Sequence, residues 1–258
     1  MIEIKTDEEI ELLRKSNLLV SATLAAIAPL MKPGTSTLEI DRLAEEHIRD
    51  HGGVPGFKGY NGFPNTLCIS INDQVVHGIP STRIIREGDI VSVDCGVFMN
   101  GFHGDSAFTF VIGEITLELK RLIQVTREAL FLGIAKAVAG NRVGDIGHAI
   151  QAHAEANRFS VVREMVGHGV GRHLHEEPEV PNYGLPGTGP LLRDGMTIAI
   201  EPMINLGRRQ IYQDRDGWTI RTADHKPSAH FEHSVAIRAT QADILSDFNV
   251  IDNVLINN

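Results

Sequence analysis

The chain has 258 residues, 42% of them hydrophobic and 22% charged, which is the composition of an ordinary globular protein with a substantial buried core. Its formal net charge of −9 argues against binding to nucleic acid, which requires a basic face. Two cysteines cannot form a disulfide framework, charges near the N-terminus argue against a signal peptide, and no apolar stretch approaches the length of a membrane span. We therefore expect a cytoplasmic protein with neither nucleic-acid nor membrane partners.

Two helices are predicted at the start of the chain. Thr6 and Glu9 have the spacing of a capping box, and apolar residues then recur at helical intervals until the sequence "KPG" at 32–34 ends the helix. Ser36 and Glu39 form a second capping pair, which precedes a helix that a Gly-Gly pair ends. The chain is thus expected to open with two consecutive helices.

Strands and turns are predicted next. The sequence "TLCISI" at 66–71 is typical of a strand, and Asn72-Asp73 of the turn after it. Residues 89–113 predict a β-hairpin about Asn100–Gly101, which is a strong signal for a two-residue turn. The remaining predicted elements, in chain order, are helices at 117–140 and 143–158 and strand-rich segments at 197–204, 213–222 and 229–237.

The two halves of the chain resemble each other weakly at an offset of about 106 residues. The sequences "TLEIDRLAEEHI" and "GDIVSVDCG" in the first half parallel "VGDIGHAIQAHA" and "DGMTIAIEP" in the second, with Asp94 and Glu201 each near a strand end. We interpret residues 1–258 as a single domain made of two fused, pseudo-equivalent halves with a site between them. Two unrelated helix-plus-strand units would give a similar pattern.

Asp94 and Asp105 lie on the two strands of the predicted hairpin. A two-residue turn at Asn100–Gly101 pairs residue 96 with residue 105, so the two aspartates point to the same face as diagonal neighbours, about 7–8 Å apart. Two carboxylates in apolar strands cannot both stay ionised and buried without a counterion. The pairing favours a shared metal ion over two solvated carboxylates on half-exposed strands.

Glu201 and Glu232 repeat this anomaly, because each is the single acid in an apolar run, "TIAIEPMI" and "AHFEHSVAI". The segment "VGHGVGRHLHEEPEV" at 166–180 adds at least one histidine. Four carboxylates with one imidazole suit first-row divalent ions but are too many for one small tetrahedral site. Two ions about 3.5–4 Å apart would use all of them, share a water and lower its pKa, which indicates hydrolysis.

Five segments resemble the type I methionine aminopeptidases, in the family's order and over nearly the whole chain. They are "GYNGFPNTLCISINDQVVHGIP", "GDIVSVDCGVFMNGFHGDSAFTF", "VGHGVGRHLHEEPEVPNYG", "GMTIAIEPMI" and "DGWTIRTADHKPSAHFEHSVAI". The resemblance implies the pita-bread fold, shared with aminopeptidase P, prolidase and creatinase. This is an α/β (α+β) fold with two pseudo-twofold halves and a mainly antiparallel sheet covered by helices. Only thirty residues separate Glu201 from Glu232, which resembles the compact, bacterial-type members without an inserted subdomain.

The resemblance also implies a role for each matching residue. The ligands of two divalent ions (cobalt, manganese, iron, nickel or zinc) would be Asp94, Asp105, His168, Glu201 and Glu232, with Asp105 and Glu232 bridging. His77 and His175 would be catalytic residues that contact the substrate, and Glu201 would also pass on a proton from the attacking water. The methionine pocket would comprise Tyr60, Phe63, Cys68, Leu174 and Trp218. Leu174 stands where many relatives have Phe, and Phe57 where some have Cys. Three other histidines, His173, His225 and His230, are predicted to lie at the surface.

The implied activity is that of a methionyl aminopeptidase, a metallo-exopeptidase that removes the initiator methionine from nascent proteins and peptides. A cytoplasmic monomer with a transient ribosome contact would fit this role. One alternative is a proline-directed aminopeptidase of the same fold, although such relatives usually carry a sizeable N-terminal domain. The other is a non-catalytic peptide-binding protein of the same fold, although such proteins lose metal ligands and this sequence keeps all five types.

Overall fold

The computed structural model describes residues 2–257. Within this range the α-helices are α1 (Asp7–Ile27), α2 (Thr37–Asp50), α3 (Leu117–Ile134), α4 (Val143–Ala156) and α5 (Asn249–Asn257). The strands are β1 (Val54–Pro55), β2 (Leu67–Ile71), β3 (Gln74–Val76), β4 (Ile90–Met99), β5 (Phe102–Val111), β6 (Ser160–Val161), β7 (Gly167–Gly169), β8 (Glu176–Val180), β9 (Thr197–Ile200), β10 (Met203–Asn205), β11 (Ile211–Gln213), β12 (Ile220–Thr222), β13 (Ser228–His230), β14 (His233–Ala236) and β15 (Asp243–Ile244). Among the helices so described, none is long and apolar enough to cross a lipid bilayer.

The first two helices begin where the sequence predicts. Thr6 Oγ1 accepts a hydrogen bond from Glu9 N at 3.3 Å, and the Glu9 carboxylate accepts one from Thr6 N at 3.0 Å, which completes the capping box of α1. At α2 the Ser36 hydroxyl accepts a hydrogen bond from Glu39 N at 3.2 Å. Because the first amides of a helix have no partner within it, these side chains fix both helix starts locally.

The central β-hairpin has the register that its turn signal predicts. Asn100 and Gly101 both have positive φ, 55° and 83°, as a two-residue turn requires, and Met99 pairs with Phe102. The same register continues down β4 and β5 and pairs Gly96 with Asp105. The prediction that Asp94 and Asp105 are diagonal neighbours on one face is therefore confirmed.

Strand pairing is antiparallel in every ladder between the named strands of residues 2–257. The hairpin strands β4 and β5 form one sheet with β1 and β2, and β15, β14, β9, β7 and β8 form a second in that order. Two smaller sheets join β13, β10 and β6, and β11, β12 and β3. The mainly antiparallel α/β architecture expected from the sequence is thus present.

The internal repeat also appears in the hydrogen bonds. Gly34 N donates to Ile85 O at 3.1 Å, and the same link recurs between Gly140 N and Leu192 O at 3.0 Å, 106 and 107 residues later. Gly34 lies just before α2, which pairs with α1, and Gly140 lies just before α4, which pairs with α3. The weak sequence similarity at this offset therefore reflects two structurally equivalent halves.

Both apolar runs that carry a glutamate are interrupted at that residue. The run at 197–204 divides into β9 and β10, and the run at 229–237 divides into β13 and β14, with the parts in different sheets. Both segments are strand-rich as predicted, but each contains two short strands. Pro202, which follows Glu201, has no amide to donate to a ladder. The interruptions place Glu201 and Glu232 where two sheets meet.

The largest apolar core extends across both halves. It contains Val93 and Phe108 from the hairpin, Leu130 from α3, Ile198 from β9 and Phe231 between β13 and β14, all buried. Hydrophobic burial of this kind is the main force that holds such elements together. The position of the hairpin relative to the second half therefore depends on this shared core.

The hairpin turn gives a test of its backbone geometry. A Cβ at Gly101 would meet no atom within 4 Å, so the substitution Gly101→Ala introduces only the cost of positive φ. We expect it to lower the free energy of unfolding by about 1–2 kcal/mol. Urea denaturation of metal-free protein measures this change.

Asn100→Gly is the matched control, since glycine adopts the same positive φ without strain. Its free energy of unfolding should stay within about 1 kcal/mol of the parent protein. Equal unfolding midpoints for Gly101→Ala and the parent would contradict the turn geometry.

Candidate metal centre and active site

A cavity of about 220 Å³ between the two halves contains every residue that the sequence indicated for the site. Its walls are formed by Phe57, Tyr60, Asn61, Phe63, Cys68, His77, Asp94, Asp105, His168, Leu174, His175, Glu201, Trp218 and Glu232. One side of the cavity is carboxylate-rich and the other is apolar. The arrangement suits a ligand with a polar reacting end and an apolar side chain.

The hairpin contributes Asp94 from β4 and Asp105 from β5. Burial raises the pKa of Asp94 from 3.8 to about 7. It also raises the pKa of Asp105 well above its ordinary value, and the charges of Glu232 and Asp94 add to this rise. The Oδ1 atoms of both aspartates are buried without a hydrogen-bond partner in the described structure. Such oxygens are costly to leave unpaired, which indicates a cationic partner.

The second half contributes Glu201, at the end of β9, and Glu232, between β13 and β14. Burial is the largest cause that raises the pKa of each carboxyl well above its ordinary value, and the nearby carboxylates increase the shift. The Oε1 atom of Glu232 is also buried without a hydrogen-bond partner among the described residues. The four carboxyl groups therefore disfavour one another's ionisation unless a cation joins them.

Hydroxyl groups hold the backbones of two of these residues together. Ser106 Oγ donates to Glu232 O at 2.7 Å, and Ser234 Oγ donates to Asp105 O at 2.8 Å. From α1, the Asn17 amide oxygen accepts a hydrogen bond from Asp105 N at 3.1 Å. The carboxylates of the two halves are thus positioned by cross-links between β5 and the β13–β14 junction.

His168, on β7, faces the same carboxylates. Its Nδ1 is 2.8 Å from Gly169 O, which fixes Nδ1 as the protonated nitrogen. Nε2 then faces Asp105 Oδ2 at 3.7 Å and Glu201 Oε1 at 3.6 Å. Burial lowers the pKa of His168 to about 3, so the ring is neutral with a free Nε2 lone pair. A neutral imidazole in this state is a metal ligand.

The donor set fits divalent cations. One ligand atom each from Asp105, His168 and Glu232 lie within 4.8 Å of one another, and all three residues are buried. No lysine or arginine lines the cavity among the residues described, so the chain supplies no cation of its own there. Three unpaired carboxylate oxygens and one free imidazole nitrogen are donors that first-row divalent ions accept.

The apolar wall of the cavity consists of buried Phe57, Phe63, Cys68 and Leu174. Trp218 packs edge-on against Phe63, with ring centroids 5.1 Å apart. Burial raises the pKa of the Cys68 thiol well above its ordinary value, so this cysteine is a wall residue and not a thiolate nucleophile. The wall therefore accepts an apolar side chain.

Two histidines lie between the carboxylates and the apolar wall. His77 has a positive φ of 59°, a strained conformation of the kind found at functional sites, and burial lowers its pKa to about 4. His175 Nδ1 is 2.7 Å from the Tyr60 hydroxyl, and its ring centroid is 4.2 Å from that of His168. Burial also lowers the pKa of His175. Both rings are therefore neutral near pH 7.

Two residues near the site were not predicted there. Asn61 lines the cavity, as does Phe57, which was noted from the sequence only as a departure from some relatives, and His230 was wrongly assigned to the surface. His230 is 1% exposed, and its Nε2 lies 3.8 Å from Glu201 Oε2. It precedes Glu232 by two positions, and the period of a strand could have placed both on one face. His173 and His225, by contrast, are exposed as predicted.

Comparison with known proteins agrees with this geometry. Residues 11–239 match the model of Metallopeptidase family M24. The chain is 52% identical to the methionine aminopeptidase of Clostridium perfringens over 246 residues, which are 95% of this chain and 99% of that one. The expectation of a proline-directed enzyme or of a non-catalytic peptide-binding protein gains no support from this relative.

Solved structures give the same result for the fold. The crystal structure of methionine aminopeptidase from Thermotoga maritima is 44% identical and superposes with a TM-score of 0.94, covering 96% of this chain and 100% of that one. The prolidase of Pyrococcus furiosus shares the fold alone, at 23% identity and a TM-score of 0.76 over 95% of this chain and 65% of its own. The predicted pita-bread fold is thereby confirmed. The chain belongs to metallopeptidase family M24 and, within it, to the methionine aminopeptidases.

Proposed function

We propose that this enzyme removes the N-terminal methionine from peptides and nascent proteins, using two divalent ions held by Asp94, Asp105, His168, Glu201 and Glu232. The observation that supports this most is the single cavity in which these five donors face an apolar wall. Asp105 and Glu232 would hold metal together with His168, since one ligand atom from each of these three buried residues lies within 4.8 Å of the others. That these two carboxylates would be shared by both ions is what the family resemblance implies. Cobalt, manganese, iron, nickel and zinc all suit this donor set.

Glu201 is the proposed proton acceptor. Divalent ions at the site would supply Lewis acidity, lowering the pKa of a water and stabilising negative charge on a carbonyl oxygen. The Glu201 carboxylate lies in the same cavity as the other proposed ligands and would be placed to take a proton from that water. Its Oε1 lies 3.6 Å from His168 Nε2 and its Oε2 lies 3.8 Å from His230 Nε2, so both rings border this carboxyl group.

His175 and His77 are the proposed substrate-contacting catalytic residues. When the Tyr60 hydroxyl donates to His175 Nδ1, the proton of the neutral ring is on Nε2, which can then donate to the scissile carbonyl oxygen. His77 lies beside Trp218, with ring centroids 6.5 Å apart, at the edge of the apolar wall. From there it can contact the amide nitrogen that leaves.

The apolar wall is the proposed methionine pocket. Phe63, Cys68, Leu174 and Trp218 surround a recess that an unbranched, flexible thioether can fill, with Tyr60 at its rim. Phe57 packs over Gly96, where a Cβ would meet its ring at 2.4 Å, and so closes the recess from the hairpin side. A β-branched first residue would fit this recess less well.

We further propose that residues 1–258 act as one catalytic unit, a cytoplasmic monomer that contacts the ribosome transiently while processing nascent chains. The core shared by the two halves supports a single unit. The formal net charge of −9 supports the absence of a nucleic-acid partner.

Substrate preference tests the function directly. The chelated protein, reconstituted separately with cobalt, manganese, iron, nickel or zinc, should release methionine from Met-Ala-Ser because its thioether fills the apolar wall. Alanine release from Ala-Pro-Ser should be at least about tenfold slower, because a methyl group leaves most of the apolar recess unfilled. Chromatography of the released amino acids measures both. Faster cleavage of the proline-containing peptide would overturn the proposal.

Glu201→Gln tests the proton acceptor. The amide keeps the shape and one oxygen donor but cannot take a proton, so we expect kcat to fall by about 10²–10⁴-fold. Metal content, measured by elemental analysis on the same samples, separates this loss from metal loss. Glu179→Gln, at an exposed position of β8, is the control and should retain parental kcat. Near-parental kcat in metal-loaded Glu201→Gln would exclude the general-base role.

The buried carboxyls also predict how stability depends on pH. In metal-free protein Asp94 has a pKa of about 7 against an ordinary value of 3.8, and the other three carboxyls shift the same way. The folded state therefore keeps protons that the unfolded state loses, and stability decreases as pH rises from about 4 to 7. Urea denaturation across this range should show a fall on the order of a few kcal/mol.

Saturating manganese should reverse this trend, because metal binding displaces the protons and strengthens as pH rises. Asp105→Asn is the matched control, since its amide does not ionise. The stability of this metal-free variant should fall less steeply with rising pH than that of the metal-free parent protein. A metal-free stability that rises with pH to the same extent in both proteins would contradict the proposed charge balance.

A further inference from the structure

The N-terminal segment contacts the loop that carries two site residues. Residues 171–176, named here the histidine loop, extend from the segment after β7 to the first residue of β8 and include Leu174 and His175. The Lys5 ammonium lies 2.6 Å from Glu176 Oε2, and the two side chains are 3% and 8% exposed. Removing one member of a buried ion pair leaves the other charge without compensation, so such a pair constrains its partners far more than a surface pair does.

Lys5 is itself held in place by backbone contacts. Its amide donates to Gly195 O at 2.8 Å, which ties the segment before α1 to the turn before β9. A Cβ at Gly171 would meet Lys5 Cε and Glu176 Oε1, each at 2.5 Å. The lysine stem therefore passes directly over the start of the histidine loop, and a side chain at position 171 would displace the ends of Lys5 and Glu176.

Glu176 transmits this constraint to the loop. While Oε2 binds Lys5, Oε1 accepts a hydrogen bond from His173 N at 3.1 Å, and His173 O in turn accepts one from Gly171 N at 3.0 Å. One carboxylate thus fixes both the end and the middle of the loop. Leu174, 2% exposed, and His175 are the residues that this arrangement presents to the cavity.

We propose that Lys5 is a positioning residue for the reaction: its buried ammonium fixes Glu176, and through it the histidine loop, so that His175 meets the substrate and Leu174 closes the pocket. This inference rests on the proposed contact between His175 and the scissile carbonyl. Lys5 itself contacts neither the cavity nor the carboxylate cluster.

The same loop offers a matched control. Arg172 forms an ion pair with Glu9 at 2.7 Å, but the two side chains are 55% and 26% exposed. It also links the loop to the N-terminal region, without contacting Glu176. A comparison of Lys5→Met with Arg172→Met therefore separates loss of the buried ion pair from loss of an exposed positive charge that also links the loop to the N-terminal region.

The experiment measures kcat and KM for Met-Ala-Ser, on metal-loaded protein well below the thermal midpoint of each variant. Lys5→Met should lower kcat/KM by about 10- to 100-fold, because small displacements of catalytic groups have effects of this size. Arg172→Met should stay within about threefold, as for an exposed ion pair. Lys5→Arg, which keeps the charge, should recover part of the loss. Glu176→Gln tests the same link from the other side if Lys5→Met does not fold.

A double-mutant comparison separates positioning from general stability. If Lys5 acts through His175, Lys5→Met should reduce kcat much less in a His175→Ala background than in the parent protein. Equal fold-losses in both backgrounds, or a Lys5→Met variant with parental kcat and only a lower thermal midpoint, would overturn the inference.

Histidine side-chain NMR of metal-free protein gives a readout that does not depend on activity. The His175 ring signals should shift in Lys5→Met and stay in place in Arg172→Met. Unmoved His175 signals in Lys5→Met would also overturn the inference. If the parent protein released no methionine, the proposed function would fail, while these NMR signals would still report on the loop.

Discussion

The structure depends on one electrostatic constraint: four carboxyl groups and no lysine or arginine line one cavity, among the residues described. Burial and mutual repulsion both raise the proton affinity of these groups. They are compatible with the folded chain either as protonated acids or as ligands of cations. Metal binding and the protonation of these four carboxyl groups are therefore coupled. The sheets and the core hold the four groups together.

The pseudo-twofold arrangement supplies the necessary geometry. Each half delivers its carboxylates from β-structure, the first from the hairpin and the second from two strand interruptions at Glu201 and Glu232. Hydroxyl groups of Ser106 and Ser234 then bind backbone oxygens across the boundary. The apolar core continues through both halves, and the cavity lies at their junction.

Carboxylate and apolar side chains occupy opposite sides of the same small cavity. Carboxylates and His168 form one side, whereas Phe63 and Trp218 form the other. His175 lies between them, and its neighbour Glu176 belongs to the buried ion pair with Lys5. Residues at the very start of the described chain are thus physically connected to the centre of the site, although they lie far from it in sequence.

The sequence alone determined the hairpin register and the helix caps, because these depend on neighbours: Asn100–Gly101 sets which residues face each other, and Thr6 caps its own helix. It also identified anomalous acids in apolar runs, and the family resemblance supplied their partners. It did not locate the burial of His230, the strand interruptions at Glu201 and Glu232, or the contact of Lys5 with Glu176. These depend on how sheets and segments distant in sequence pack, and only the tertiary structure decides that, because burial and ion pairing arise between residues that no local pattern connects.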